Sequence, residues 1–395
     1  MILSRKGLAI EPSVTLEISA KAKALKDKGV DIISFSVGEP DFNTPENIRK
    51  EGIRAIKEGL TKYTPASGIQ ELKKAVCEKF KRDNNLDYTP ENILISNGGK
   101  HSIYNAFMAI LNPGDEVIIG VPYWVSYPEI VRLADGVPVF IETKEENDFK
   151  FSVKDLSKAK TGRTKAIIIN SPSNPNGSIY TENELKEIAE WAVQNNIFIL
   201  SDELYEKLIY DGQNHVSIAC FDDKIKDLTI LINGMSKAYA MTGWRIGFAA
   251  AHKDIIKVMG NIQSHTTSNP SSIAQYASVV GLNEDQASIE AMKKEFDKRR
   301  IYMYENINSI KGLSCRKPNG AFYIMINISN LKGRTISGKY LNSSLDVANL
   351  LLEDANVAVV PGIGFGDDNY IRLSYATSME NIIEGIRRIK EVIEK

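Results

Sequence analysis

Through the middle of the chain, short apolar runs alternate with amphipathic stretches. Glu91–Ser96 (ENILIS) reads as a strand, and Lys100–Leu111 follows with Ile103, Phe107, Ile110 and Leu111 at helical spacing. Glu116–Gly120 (EVIIG) predicts a strand, Trp124–Ala134 a helix and Val137–Ile141 (VPVFI) a further strand. Lys165–Asn170 (KAIIIN) and Ile197–Ser201 (IFILS) predict buried strands on either side of a helix at Glu182–Asn195. Leu228–Asn233 (LTILIN) and Arg245–Ala250 (RIGFAA) add two more. Strands that are apolar on both faces and separated by helices imply an α/β fold, with a mainly parallel sheet covered by helices on both sides.

Beyond about residue 284 the texture changes. A long charged helix at Asp285–Ile307 leads to strands near Phe322–Ile328 and Asn369–Ser374, with helices at Ser344–Ala355 and Met379–Glu394. This pattern predicts a smaller α+β domain over residues 284–395 and a large domain over 46–283. Residues 1–45 precede the regular alternation and are expected to pack with the small domain. There is no internal repeat and no Pro/Gly/Ser-rich linker, so the domains are expected to share a large interface.

Composition narrows the function classes. Of 395 residues, 43% are hydrophobic and 25% charged, which fits a soluble globular protein and excludes a disordered one. Lys plus Arg is 49 against 50 for Asp plus Glu, so no charge excess points to nucleic acid or an anionic membrane. No apolar run approaches the roughly 18 residues of a membrane span. The sequence MILSRKGLAIEPS has no apolar block of signal-peptide length, so a cytoplasmic location is expected. Cys77, Cys220 and Cys315 form no CxxC, which argues against a disulfide scaffold or zinc ribbon. His101, His215, His252 and His265 are scattered without HExxH, so no metal site is expected.

In a doubly wound sheet, ligands sit beyond the carboxyl ends of the strands. After KAIIIN comes Ser171-Pro172-Ser173-Asn174-Pro175-Asn176-Gly177, and after IFIL comes Ser201-Asp202-Glu203-Leu204-Tyr205. After LTILIN comes Gly234-Met235-Ser236-Lys237, and after ENILIS comes Asn97-Gly98-Gly99-Lys100. Any one of these could be a plain polar turn. Together they bring an amide, a carboxylate with a phenol, a lysine with a hydroxyl, and a glycine-rich helix start to one sheet edge.

Gly98-Gly99 before a helix suits a phosphate, since the backbone can approach closely and the first amides are free. A Walker motif is excluded because His101 follows Lys100. GxGxxG is absent, and Gly362-Ile363-Gly364-Phe365-Gly366 has the wrong spacing, which disfavours a nicotinamide dehydrogenase. Gly234-Met235-Ser236-Lys237-Ala238 misses the final glycine of a nucleophile elbow and has no evident histidine base. A desolvated strand-end lysine has another use, as the amine of a Schiff base. Asp202 could keep a pyridine nitrogen protonated; its plainer role would be a turn cap.

The segment Ser236–Gly247 (SKAYAMTGWRIG) resembles the pyridoxal-phosphate lysine motif of class I aminotransferases. Asn174-Pro175-Asn176-Gly177, Ser201-Asp202-Glu203-Leu204-Tyr205 and Tyr370-Ile371-Arg372-Leu373-Ser374 follow the family's order. Val37-Gly38-Glu39-Pro40-Asp41-Phe42 and Lys62-Tyr63-Thr64-Pro65 match its N-terminal segments. The resemblance runs from about Ser13 to the last helix. It is closest to the bacterial type of aspartate aminotransferase, whose members include some that also use prephenate.

The resemblance implies fold type I and pyridoxal 5′-phosphate. It makes Lys237 the Schiff-base lysine and proton carrier, with Asp202 on the ring nitrogen and Tyr205 and Asn174 on the ring hydroxyl. It puts Trp124 against the ring, and places Ser236, Arg245 and the Gly99 and Lys100 amides on the phosphate. Tyr63 would reach the phosphate of a partner subunit, so the resemblance implies a homodimer with shared sites. Arg372, helped by Asn174, Trp124 and the Gly38 backbone, would bind the substrate α-carboxylate. The Lys100 side chain would meet the distal carboxylate of a dicarboxylic substrate.

Glu11 stands where several relatives carry a basic residue, which weakens the case for prephenate, and His101 replaces a common glutamine. The implied reaction is ping-pong transfer from aspartate to 2-oxoglutarate. Alternatives are transfer from aromatic or other amino acids or prephenate, or a lyase or synthase on the same cofactor. A cofactor-bound regulatory protein is a further rival, though no helix-turn-helix or basic segment is appended. The segment up to Glu39 is the part expected to move over a substrate.

Overall fold

Seven strands form the central sheet: β1 (Ile93–Ser96), β2 (Glu116–Val121), β3 (Val137–Glu142), β4 (Thr164–Asn170), β5 (Phe198–Asp202), β6 (Thr229–Gly234) and β7 (Gly247–Ala250). Their spatial order is β1-β7-β6-β5-β4-β2-β3. β7 runs antiparallel to both β1 and β6, and the other pairings are parallel. The computed structural model describes residues 3–12 and 14–395; Ser13, where the family resemblance begins, lies outside them.

The strand pattern explains the layering. Val117 and Ile119 face one core with Ile168 and Leu200, while Ile118 faces another with Ile167 and Ile199. Successive side chains alternate between faces, so a strand buried on both sides must be apolar throughout. Each such Ile or Val contributes about 1.5–3 kcal/mol by burial. β3 is the edge, which is why Val137 and Phe140 are partly exposed and why Pro138, lacking an N–H, is accommodated. The helices that cover the sheet are locally specified. At Glu182–Asn195 the Thr181 hydroxyl and the Glu184 carboxylate cap each other's amides, and Asn196 ends the helix at φ 52°.

The second unit is an antiparallel sheet ordered Val360–Pro361, Tyr370–Ser374, Tyr323–Asn327, Ser314–Cys315. Helices Ala287–Asn308, Ser344–Asp354 and Met379–Ile393 pack with it. The N-terminal segment joins this unit: Ile33–Ser34 pairs in parallel with Val357–Ala358, and the Ser374 amide donates to Phe35 O at 2.9 Å. That pairing lays Ser36, Val37 and Gly38 alongside Arg372. The strand expected from Arg245 begins two residues later, because Arg245 adopts φ 59°, which no strand permits. Among the described residues, no helix is long and apolar enough to cross a membrane.

Candidate active site

The carboxyl ends of β1, β4, β5 and β6 open on one edge of the sheet, and the N-terminal segment and the Tyr370–Ser374 strand face it. Between them lies a cavity of about 580 Å³. Gly38, Gly99, Lys100, Trp124, Asn174, Asp202, Tyr205, Ser236, Lys237, Arg245 and Arg372, all expected from the sequence, line it together. Tyr63 does not: its side chain is on the outer surface, 92% exposed.

One end of the cavity is cationic. Gly98 sits at φ 87°, and a Cβ there would lie 2.2 Å from Arg245 Nη2. A Cβ on Gly247 would lie 2.3 Å from the Gly99 nitrogen. Only glycine lets the helix start, β7 and the guanidinium approach this closely. The helix Gly99–Ile110 then offers its unpaired first-turn amides. Arg245 is aimed by Nη1 donating to Thr242 O at 2.9 Å and Nη2 to Asn97 O at 3.3 Å.

Lys237 follows β6 by three residues and reaches across the cavity. Its Nζ donates to Gly38 O at 2.6 Å. Burial lowers its pKa to about 8; Glu39 and Asp202 oppose that shift, and Arg245 and Arg372 add to it. Asp202, at the end of β5, accepts from the Tyr127 hydroxyl at 2.7 Å and from the Leu204 amide at 3.3 Å. Burial raises its pKa to about 6 against those two hydrogen bonds. A depressed amine and a raised carboxyl in one cavity are groups poised to exchange protons near neutral pH.

Arg372 is 2% exposed. Its Nη1 donates to Asn174 Oδ1 at 3.1 Å and its Nη2 to Ser36 O at 2.9 Å, while Nε has no partner. The guanidinium lies over the Tyr323 ring at 4.4 Å. Among the described residues no carboxylate pairs with it, and burial lowers its pKa. The Tyr205 hydroxyl meets the Tyr323 hydroxyl at 2.9 Å. Lys100 is exposed at the rim, its ammonium 5.0 Å from the Trp124 ring centre.

Sequence reasoning missed Tyr127, Tyr323, Asn170 and Ser36. Asn170 ends β4, donates to Asp202 O at 3.0 Å and accepts from the Asn174 amide at 2.8 Å, so it locks two site segments together. A strand-end amide was a usable signal for Asn170. Tyr127 and Tyr323 carry none, since they are ordinary aromatics in an apolar helix and strand.

Residues 30–389 match the family model for aminotransferase class I and II. The chain is 49% identical to the aspartate aminotransferase of Bacillus subtilis (strain 168), over 100% of both chains. It is also 49% identical to the probable aspartate/prephenate aminotransferase of Rickettsia bellii (strain RML369-C), over 98% of each. Among solved structures, the aspartate aminotransferase of Rhizobium meliloti superposes with a TM-score of 0.96 at 42% identity, covering 100% of this chain and 99% of that one. The aspartate aminotransferase of Thermus thermophilus with maleate gives 0.94 at 42%, covering 99% and 100%. A cationic cradle, a depressed lysine and a buried acid on one fold type I sheet edge, matched over the full chain, make this protein a member of the class I and II aminotransferases, which work with pyridoxal 5′-phosphate.

Proposed function

We propose that this chain moves the amino group of L-aspartate to 2-oxoglutarate by a ping-pong mechanism, as a cytoplasmic homodimer. The observation that carries the substrate class is Arg372. A buried guanidinium with a free Nε and only neutral acceptors fits a carboxylate brought by the ligand. Lys100 offers a second cation at the rim, which suits a second carboxylate. The relatives named for aspartate, and the Thermus thermophilus enzyme with maleate, a dicarboxylate, support that choice. Prephenate is second: several relatives are named for aspartate and prephenate together, but here the position is Glu11, whose amide donates at 3.1 Å to a Glu129 carboxylate that Arg132 already pairs, so Glu11 itself brings no cation to that corner.

The residues present fit pyridoxal phosphate, which supplies the electron sink for charge left at the substrate Cα. Arg245, Ser236 and the Gly99 and Lys100 amides would hold its phosphate. Asp202, oriented by Tyr127, would hold the ring nitrogen's proton, and Tyr205 and Asn174 would donate to the ring oxygen. Trp124 would cover the ring. Lys237 would carry the proton at Cα, a task for which a pKa near about 8 leaves a usable fraction of free amine at neutral pH. Arg372 fixes the carboxylate and so the orientation of the reacting bond.

Tyr63, exposed on its own subunit, is read as a phosphate contact for the partner. The chain is read as an N-terminal segment to residue 45, a large domain over 46–283 and a small domain over 284–395. Pairing of Ile33–Ser34 with Val357–Ala358 supports grouping the first and last of these.

The test has two parts. Lys237→Ala is expected to lose the visible absorbance of the bound cofactor and all turnover; full activity in that variant would sink the reading. A donor screen against 2-oxoglutarate is then expected to rank aspartate first by kcat/KM, and a higher rank for aromatic donors would move the assignment within the family.

A further inference from the structure

Asp202 and Glu203 are neighbours with opposite surroundings. Asp202 lines the cavity, while Glu203 turns away from it and is 1% exposed. Glu203 Oε1 accepts from the Ser201 and Ser217 hydroxyls, each at 2.8 Å, and Oε2 meets His215 Nε2 at 2.8 Å. Two hydroxyl donors on Oε1, joined by His215 Nε2 on Oε2 in the tautomer that carries its proton there, suit an ionised carboxylate. Glu206, one turn on, is different. It is held by the buried Lys79 ammonium and by Asn84 Nδ2 at 2.9 Å. Burial alone would raise its pKa, but Lys79, His215 and Asn84 bring it down to about 2. Glu206 is therefore neutralised in place. Glu203 receives no lysine or arginine; the His215 imidazole is the basic group on it, and its carboxylate stands one residue from Asp202.

We infer that Glu203 is a positioning residue for the reaction: held by Ser201, Ser217 and His215, its charge sets the potential at Asp202 and thereby how firmly Asp202 holds a protonated ring nitrogen. The inference rests on the pyridoxal-phosphate reading of the cavity and deepens it. A negative neighbour makes a carboxylate a stronger proton acceptor. In the structure Glu203 adds to the upward push that burial gives Asp202. Its field is also felt at Tyr88 and Cys220, whose pKa values are raised first by burial and then by Glu203. The titratable groups around Asp202 are Tyr127, Tyr205 and Lys237; those around Glu203 are His215, Tyr88, Cys220, Glu206 and, through Glu206, Lys79.

The experiment uses the cofactor-loaded enzyme and reads the pH midpoint of its visible band. Glu203→Gln keeps the size and the hydroxyl contacts but removes the charge. Its midpoint is expected to fall by about 0.5 pH unit, because a positive charge on the cofactor loses a nearby anion. Glu203→Asp, shorter but charged, is expected to stay close to the wild type. A purely structural role predicts the reverse order, with the Asp variant the more disturbed. An unmoved midpoint in Glu203→Gln, or equal shifts in both variants, overturns the inference. If Glu203→Gln does not fold, carbon NMR of glutamate-labelled wild-type enzyme decides: a buried ionised carboxylate at pH 6 supports it, and a buried carboxylic acid overturns it. Wild-type protein that takes up no pyridoxal phosphate would overturn the site reading instead, before any variant is made.

Discussion

Two arginines sit in the deepest parts of this molecule, and they are solved in opposite ways. Arg300 is fully buried, and it is surrounded by acids. It donates to both Asp211 oxygens at 2.8 Å, to Asp297 Oδ1 at 2.9 Å through Nε, and to Pro318 O at 2.6 Å. Its guanidinium lies over the Tyr210 ring at 4.6 Å. Arg372 has the same kind of aromatic support from Tyr323, yet only an amide and a backbone carbonyl as acceptors. Removing a charge from water is expensive unless a partner compensates. Arg300 is compensated within the fold. Arg372 is not, and it faces a cavity. The difference is the ground for reading Arg300 as a cation that holds the protein together and for the proposal that Arg372 is kept for a ligand.

The largest effect tests that division directly. Arg372→Met is expected to lower kcat/KM on the order of 10²–10³-fold for every amino acid donor, since losing one partner of a desolvated charge pair with substrate costs about 3–4 kcal/mol. Its thermal midpoint should hold or rise, because a buried uncompensated charge is gone. Arg300→Met should do the reverse. It strands Asp211 and Asp297 and should destabilise the fold by about 3 kcal/mol, read by denaturant unfolding. The protein that remains folded should keep its kcat/KM. Loss of stability in the first variant, or of specific activity in the second, would erase the distinction.

The sequence showed one member of this pair better than the other. Arg372 was visible through its Tyr-Ile-Arg-Leu-Ser strand, whereas Arg300 sits in a charged helix where burial has no local signal. The same holds for the elements. The apolar runs at 165–170, 197–201 and 228–233 correspond to strands Thr164–Asn170, Phe198–Asp202 and Thr229–Gly234, because strands buried on both faces leave an unbroken pattern. The pattern assigns nothing to Gln70–Asn84, a helix that buries Lys73 and Lys79; charged residues at inward positions blur its period. Nor could it pair Ile33–Ser34 with Val357–Ala358, since nothing local links the two ends of a chain. The cavity residues carried by strand ends were legible. Tyr127 and Tyr323 were not, because their hydroxyls acquire partners only through tertiary packing.

Lys100 sharpens the comparison with a cation that is neither buried nor paired. It is exposed and touches the Trp124 ring face, so its removal should leave stability unchanged within about 0.5 kcal/mol. Lys100→Ala is expected to reduce kcat/KM for aspartate and glutamate about fivefold, in line with roughly 1 kcal/mol for a partly solvated charge contact. Alanine and aromatic donors should be spared. A uniform loss across all donors would assign Lys100 to the cofactor phosphate rather than to the distal carboxylate.

The smallest effect follows the field of Arg372 rather than its hydrogen bonds. In the cofactor-free protein Lys237 has its pKa lowered to about 8, first by burial, with Arg245 and Arg372 contributing in the same direction. An unfolded lysine would still be protonated up to about 10.4. Between these values the unfolded chain binds the extra proton, so this group's contribution to stability rises with pH across that window. Taking away a cation makes the ammonium easier to keep. Arg372→Met should therefore move the Lys237 midpoint upward by about half a pH unit, and slow the colour change on adding pyridoxal phosphate at pH 7. Arg300→Met should leave that midpoint in place, because neither Arg300 nor the Asp211 and Asp297 it pairs with is among the charges that act on Lys237. A pH series of the rate of colour development on both variants reads the result. Equal midpoints would mean that Arg372 is screened from Lys237 and that burial alone sets the amine.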